Sequence, residues 1–210
     1  MRIKTFTMIK TALYISLLII YCGNLNAQTD YEKEILTFQS DLNAEYKNPE
    51  ESPLTAEEIE QFTTHTFYPI DENYRVKASF ERIANPITID FQTSSGVVKK
   101  YDTYALAKFE LFGKPYQLTV YQSQSLREIP EYKDYLFLPI TDYTSGLETY
   151  GAGRYIDLRI PEGDTIIIDF NKAYNPFCAY SPNYSCPIPP ENNDLKIEIK
   201  AGVMSPVGHK

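Results

Sequence analysis

The feature that most constrains the fold is a series of short segments with strand-like alternation and no helix-length segments between them. Residues 74–81 read YRVKASFE and alternate apolar with polar side chains, which is the pattern of a half-buried strand. Further strand-like segments occupy residues 87–91, 97–106, 108–112, 116–121, 135–140, 155–160, 165–170 and 195–199. The connections are too short for the crossover helices of a parallel sheet. We therefore predict a mainly β (α+β) fold with about nine antiparallel strands, as a closed or nearly closed barrel or a two-sheet sandwich.

Two helices are predicted ahead of the strands. In residues 30–46, apolar side chains recur every three or four positions, which predicts a helix with one apolar face. Residues 52–62 read SPLTAEEIEQF and predict a shorter helix. There Thr55 can cap the first turn, and Glu58, three residues on, completes a capping box.

Residues 1–27 have the organisation of a secretory signal peptide, with cations, an apolar run from Ala12 to Tyr21 and a small, polar end. The run is shorter than the roughly 20 residues needed to span a bilayer, so no stable membrane insertion is expected. We expect cleavage after Ala27 and a periplasmic or extracellular location. Lipoprotein anchoring at Cys22 is disfavoured, because the bulky Tyr21 stands where such signals carry a small residue.

Removal of this leader leaves 210 − 27 = 183 residues, enough for a single domain with a sizeable core. We expect an N-terminal helical segment at residues 28–66, packed on an antiparallel β domain at residues 67–210. The leader carries three cations and no anions, so the formal charge changes from −8 to −11 on cleavage. Such an acidic surface opposes binding to nucleic acid or to anionic lipid.

Cys178 and Cys186 are the two cysteines that follow the leader. An even pair in an oxidising compartment predicts a disulfide. A zinc site would need more ligands than the sequence offers nearby, since the only histidines are His65 and His209. For the same reason a thiol nucleophile would lack a neighbouring base. The sequence predicts no metal and no cofactor.

The loop-rich stretch at residues 141–190 carries the candidate ligand-binding side chains. Gly151 and Gly153 precede Arg154, whose planar guanidinium suits a carboxylate or a phosphate. This arrangement predicts an anion clamp. The alternative is a tight turn whose arginine pairs internally with Asp142, Glu148, Asp157 or Asp169. Tyrosines in the same stretch can stack on a sugar-like ligand. The predicted ligand-binding residues are Arg154, Asp142, Asp169, Asn171, Tyr174 and Tyr180.

Three functions are compatible with these residues. The first is a binding module for a small anion or a sugar-like molecule, with its site around Arg154 and the Tyr174–Tyr184 loop. The second is a hydrolase that divides acid and base roles between two carboxylates. The carboxylates available for this are Asp142, Glu148, Asp157 and Asp169. The third is a structural envelope protein without a ligand. Two carboxyl groups in an open cleft would favour hydrolysis, whereas carboxylates bonded to Arg154 or to backbone would favour binding or a scaffold.

The C-terminal motifs also carry a family resemblance. TDYTSGLETYGAGRYIDL at residues 141–158 and IDFNKAYNPFCAYSPNYSCPIPPENNDLKIEIKAG at residues 168–202 resemble the signature of the domain of unknown function 1684 family. SPLTAEEIEQF and the downstream YPIDENYRVKASF are similar to the N-terminal part of that family. The resemblance implies no activity, because the family is uncharacterised. Where its members usually show a Gly-Leu pair, this chain has Thr64-His65.

Overall fold

The structure, a computed structural model, describes residues 29–206. The predicted signal peptide, Cys22 and His209 lie outside the described residues. Within residues 29–206, no helix combines the length and the apolar composition that crossing a bilayer requires.

Two α-helices precede the strands, α1 at Asp30–Lys47 and α2 at Ala56–Gln61. The predicted capping box at the start of α2 is confirmed. The Thr55 hydroxyl accepts a hydrogen bond from the backbone N–H of Glu58 at 3.3 Å, and the Glu58 carboxylate accepts one from the Thr55 N–H at 2.7 Å. These two bonds satisfy donors that the first turn of a helix leaves free.

The strands are β1 (Arg75–Arg82), β2 (Thr88–Phe91), β3 (Lys99–Leu111), β4 (Lys114–Ser123), β5 (Tyr135–Asp142), β6 (Arg154–Arg159), β7 (Thr165–Asp169) and β8 (Asp194–Leu195). They form one sheet in the order β6-β5-β4-β3-β1-β7, with antiparallel pairing throughout this path. In addition, β2 pairs with β3, and β8 pairs with β5 in parallel. The mainly β, antiparallel fold is thus confirmed.

The sheet is a curled half-barrel. Its end strands β6 and β7 approach each other, but no ladder joins them among the described residues. The strand count is eight instead of about nine, because the predicted strands at residues 97–106 and 108–112 are the single strand β3. A register shift between Thr103 and Ala105 interrupts its pairing with β4. The predicted strand at residues 195–199 is shorter, since only Asp194 and Leu195 pair with β5.

The core is formed by alternate side chains of these strands, including Ala78, Leu118, Leu138, Ile156 and Ile168, all of them buried. A second apolar cluster joins α1 to the C-terminal loop. Its buried members are Leu42, Tyr46, Ala179, Tyr180 and Val203.

The C-terminal segment is bound to the sheet through the fully buried Asn193. Its side-chain oxygen accepts a hydrogen bond from the N–H of Thr119 at 2.8 Å. Its amide nitrogen donates to the carbonyls of Thr119 and Pro139 at 2.9 and 2.8 Å. One side chain therefore satisfies buried backbone groups of both β4 and β5, and it holds residues 190–195 against the sheet.

Candidate functional site

Arg154, at the start of β6, is buried, with a side chain only 1% exposed. One terminal nitrogen donates to the Asp142 carboxylate and to the Ile199 carbonyl, both at 2.9 Å. The other donates to the carbonyls of Ala201 and Val203. The prediction of an anion clamp at Arg154 is therefore corrected in favour of its alternative, an internally paired arginine, because the guanidinium has no exposed donor for an external ligand.

Gly153 makes this arrangement possible. Its φ is +88°, a conformation that L side chains rarely adopt, and a Cβ there would lie 2.5 Å from the Ile140 carbonyl oxygen. The chain can thus pass close to β5 and deliver Arg154 to the interior. Burial lowers the pKa of Arg154, and the adjacent Asp142 carboxylate opposes this effect.

Asp169 and Asn171 form a separate structural corner. Asp169 accepts hydrogen bonds from both the N–H and the side-chain amide of Asn171, each at 3.0 Å. The same amide group donates to the Asp71 carbonyl at 2.8 Å, and its oxygen accepts from the Asp71 N–H at 3.1 Å. These bonds fasten the turn after β7 to the turn before β1. The two residues do not share a site with Arg154 or with the pocket described next.

Of the predicted ligand-binding residues, Tyr174 lines a pocket of about 480 Å³. The pocket is bounded by α1, by β6 and by the C-terminal loop. Its lining residues include Phe38, Asp41, Leu42 and Glu45 from α1, Tyr155 and Asp157 from β6, Lys99 from β3, and Tyr174, Phe177, Tyr184 and Cys186 from the loop.

Two hydrogen bonds orient the Asp157 carboxylate in this pocket. Its Oδ1 accepts hydrogen bonds from the hydroxyls of Tyr135 at 2.7 Å and Tyr174 at 2.8 Å. No donor in the described part of the chain contacts Oδ2. Asp157 keeps a solvent-exposed surface, but the protein packed around its carboxylate raises its pKa, although the two tyrosines and Arg159 act in the opposite direction. Burial also raises the pKa of both tyrosines, so they remain protonated donors at neutral pH.

Aromatic side chains and a second carboxylate complete the lining. Phe177 and Tyr184 meet edge to face with ring centroids 4.9 Å apart. Tyr155 and Tyr174 do the same at 6.0 Å. The pKa of Glu45 is raised, first by burial and then by the negative charges of Glu51 and Asp157.

The other predicted acids lie elsewhere and have their own partners. Asp142 pairs with Arg154, and Asp169 holds the corner with Asn171. Glu148 accepts hydrogen bonds from Lys200 at 2.9 Å and from the Tyr68 hydroxyl at 3.0 Å, and these lower its pKa. Of the four carboxylates considered for hydrolysis, only Asp157 lines the pocket.

Sequence reasoning missed Glu45, Asp41 and Lys99. The two acids stand four residues apart on α1, beside the apolar Leu42, and on the sequence alone they belong to the solvated helical face. The position of Asp41 and Glu45 at the two edges of the apolar face of α1 is the only feature of the sequence that could have indicated a role in a pocket.

Tyr180 lies away from this pocket, next to His65. The His65 side chain is 6% exposed and its Nδ1 lies 2.8 Å from the side-chain oxygen of Asn43. Since that amide oxygen can only accept, Nδ1 carries the proton. The rings of Tyr46, Phe62, Phe67 and Tyr180 surround the imidazole at centroid distances of 4.3 to 5.8 Å. Burial lowers the pKa of His65 to about 4.

The predicted disulfide is present between Cys178 and Cys186. The Cys178 N–H donates to the Cys186 sulfur at 3.2 Å, and the Ser94 hydroxyl donates to the Cys178 sulfur at 3.1 Å. The hydroxyl oxygens of Ser185 and Ser95 lie 2.6 Å apart and share a hydrogen bond. The disulfide loop is thus fastened to the turn after β2, and Cys186 itself lines the pocket.

Replacement of Cys178 by serine should lower the free energy of unfolding by roughly 2 to 3 kcal/mol, because the closed loop restricts the unfolded chain. Thermal unfolding of the variant and of the wild type measures the loss. The double variant Cys178→Ser/Cys186→Ser is the control and should resemble the single variant. Two titratable thiols in the unfolded, unreduced wild type would contradict the prediction.

Comparisons with known proteins give a family and a related structure but no activity. The family described as "Protein of unknown function (DUF1684)" matches residues 60–204. An uncharacterised protein from Haloarcula marismortui, whose solution NMR structure is known, has 32% sequence identity to this chain. The two structures superpose with a TM-score of 0.65, and the match covers 86% of this chain and 97% of that one. A search of curated protein sequences found no match. Among residues 29–206, no three His, Cys, Asp or Glu side chains are grouped so that they could hold a metal ion.

Proposed function

This chain belongs to the DUF1684 family of proteins of unknown function, and we propose that it is a binding module for a small polar ligand, seated in the pocket at Asp157. The observation that carries the proposal is the environment of the Asp157 carboxylate. Two tyrosine hydroxyls fix one of its oxygens, and the other oxygen has no donor in the described part of the chain. A ligand hydroxyl or amine is the donor that this oxygen would accept.

The surroundings of Asp157 favour binding over a purely structural role. A volume of about 480 Å³ lies within the range of small-molecule sites, which are concave and mostly apolar with a few convergent polar groups. The tyrosines that hold Asp157 come from β5 and from the loop after β7, so the carboxylate is oriented before any ligand arrives. Such preorganisation reduces the entropy lost on binding.

The proposal keeps the sugar-like ligand predicted from the sequence and moves the site from Arg154 to Asp157. The aromatic wall formed by Phe177 and Tyr184 supports stacking of a small ring or chain. An anionic ligand is disfavoured, because Asp41, Glu45 and Asp157 line the pocket against the single cation Lys99.

We also propose that the protein is exported to the periplasm or the extracellular space. The disulfide between Cys178 and Cys186 supports this location, because such bonds persist in oxidising compartments.

Isothermal titration calorimetry with D-glucose, citrate and choline as probes tests the binding function. We expect saturable binding of at least one probe, weakened about tenfold or more in Asp157→Asn, since a hydrogen bond to a charged group is worth about 1.5 to 3 kcal/mol. Glu81→Gln is the matched control, because Glu81 is a surface acid on β1 paired with Lys108. Absence of binding by every probe would favour the ligand-free envelope protein instead.

Hydrolysis remains the second candidate, now with Glu45 and Asp157 as the carboxylate pair. Both line one pocket, and the charge of Asp157 contributes to the raised pKa of Glu45. Two carboxyl groups with shifted pKa values could divide acid and base roles. Release of nitrophenol from nitrophenyl glycosides, lost in both Glu45→Gln and Asp157→Asn, would establish this activity.

A further inference from the structure

We infer that the pocket at Asp157 recognises an organic cation, an alkylammonium group bound between the Asp157 and Glu45 carboxylates and the aromatic lining. This inference rests on the proposed binding function and specifies the chemical class of its ligand. Three observations carry it: an uncompensated negative charge, the composition of the walls and the volume of the pocket.

The first observation is the charge balance. Three carboxylates line the pocket, those of Asp41, Glu45 and Asp157, against the ammonium group of Lys99. Lys99 is solvent-exposed, partial burial of its ammonium group lowers its pKa, and no carboxylate within 4.0 Å pairs with it among the described residues. The pocket therefore carries a formal charge of about −2 that no internal ion pair neutralises.

The individual carboxylates show the same deficit. The charged groups that act on Glu45 are Glu51 and Asp157, and both are negative. The positive group that acts on Asp157 is Arg159. Its guanidinium is already engaged elsewhere, because it pairs with Asp134 at 2.8 Å and donates to the Glu131 carbonyl at 3.0 Å. Asp157 is solvent-exposed and Glu45 is half-buried, so a cation bound between them would supply a counterion that the fold itself does not provide.

The second observation is the aromatic lining. Phe38, Tyr155, Tyr174, Phe177 and Tyr184 all line the pocket. Aromatic faces attract ammonium groups through the negative potential of the ring, and the attraction is strongest where water is excluded. Carboxylates together with aromatic rings are the combination that recognises alkylated ammonium groups.

The third observation is the volume. About 480 Å³ holds a small organic molecule with several carbon atoms, so a carbon-bearing ammonium group fits better than a bare inorganic cation. A carboxylate or phosphate ligand would add like charge to the pocket. A neutral sugar would fill the volume but leave the carboxylates uncompensated.

Choline and 3,3-dimethyl-1-butanol provide the decisive pair of probes, because they share one shape and differ in the positive charge. We expect choline to bind the wild-type protein at least tenfold more tightly than the neutral isostere in calorimetric titrations. Glu45→Gln and Asp157→Asn should each reduce this preference, and the double variant should abolish it. The control Glu81→Gln, on the surface of β1, should retain it.

Two capped peptides distinguish a free ammonium compound from a lysine side chain as the source of the cation. N-acetylated, C-amidated Ala-Lys-Ala and the same capped peptide with an acetylated lysine are titrated beside choline, so that the lysine side chain is the one positive charge that differs between them. A tighter fit for the charged peptide than for choline assigns the pocket to a protein segment, and the reverse assigns it to a free small molecule.

Other outcomes separate this inference from the function on which it rests. Equal affinity for choline and its isostere, or binding of glucose or citrate without choline, overturns the cation assignment and leaves a binding module. Absence of binding by every probe overturns both. Choline binding that survives the Glu45→Gln/Asp157→Asn double variant places the cation at another site and refutes the inference.

Discussion

Replacement of Arg154 by alanine is expected to lower the free energy of unfolding by about 3 to 5 kcal/mol, because it leaves the buried Asp142 carboxylate without its counterion. The substitution also removes the donors that the carbonyls of Ile199, Ala201 and Val203 now accept from. Asp142 would keep only neutral donors, among them the N–H and the hydroxyl of Thr144 and the N–H of Ile199.

Arg154→Lys should also be damaging, although it keeps the charge. A single ammonium group cannot reproduce the planar fork that reaches Asp142 on one side and the 199–203 backbone on the other. Denaturant titration measures both variants. Arg159→Ala is the matched control, since Arg159 lies on the same strand and forms an exposed pair with Asp134, worth about 1 kcal/mol or less. Equal losses in Arg154→Ala and Arg159→Ala would contradict the structural role of Arg154.

Acidification is expected to cost the protein about 3 kcal/mol of stability through His65 alone, because its pKa is about 4 in the fold and about 6.5 in the unfolded chain. The folded state holds the imidazole neutral among aromatic rings, so the unfolded state binds the proton first. The contribution is therefore complete above pH 6.5 and is lost as the pH falls from about 6.5 towards 4.

Unfolding free energies of wild type and His65→Phe at pH 7 and pH 4.5 test this dependence. Phenylalanine keeps a ring in the cluster with Tyr46 and Phe62 but cannot titrate, so the variant should lose less stability between the two pH values. His209→Gln, which removes the other histidine of the chain, should leave the wild-type dependence unchanged. Parallel pH profiles for wild type and His65→Phe would refute the assignment. The raised pKa values of Asp157 and Glu45 act in the opposite direction in all three proteins.

Local patterns in the sequence predicted the parts of the fold that depend on neighbouring residues. The alternation of residues 74–81 and the Thr55–Glu58 capping box follow from short-range spacing, and the Cys178–Cys186 disulfide follows from the even number of cysteines after the leader; all three are confirmed. The acids considered as partners of Arg154 included Asp142, which is the acid it contacts. The three backbone acceptors of Arg154 could not be foreseen, because they belong to a segment without regular pairing.

The pocket could not be predicted, because it depends on register and on distant contacts. Asp157 meets Tyr135 only because β5 and β6 pair so that Phe137 lies opposite Asp157. Asp157 meets Tyr174 because Tyr155 and Tyr174 exchange two backbone N–H to carbonyl hydrogen bonds, at 2.9 and 3.0 Å. A shift of one residue in either contact would turn the side chains to opposite faces. Glu45 reaches the same pocket from α1, and no periodicity in the sequence links that helix to β6.

The internal contacts of Arg154 set an order of events in biosynthesis. Its carbonyl acceptors lie 45, 47 and 49 residues further along the chain, so they are synthesised, and in an exported chain translocated, well after β5 and β6. Until they are present, burial of the guanidinium would leave most of its donors unsatisfied, which opposes closure of the core around it. A chain interrupted before Ile199 would therefore stay open and accessible to proteases, whereas synthesis through Val203 supplies the acceptors that complete the domain.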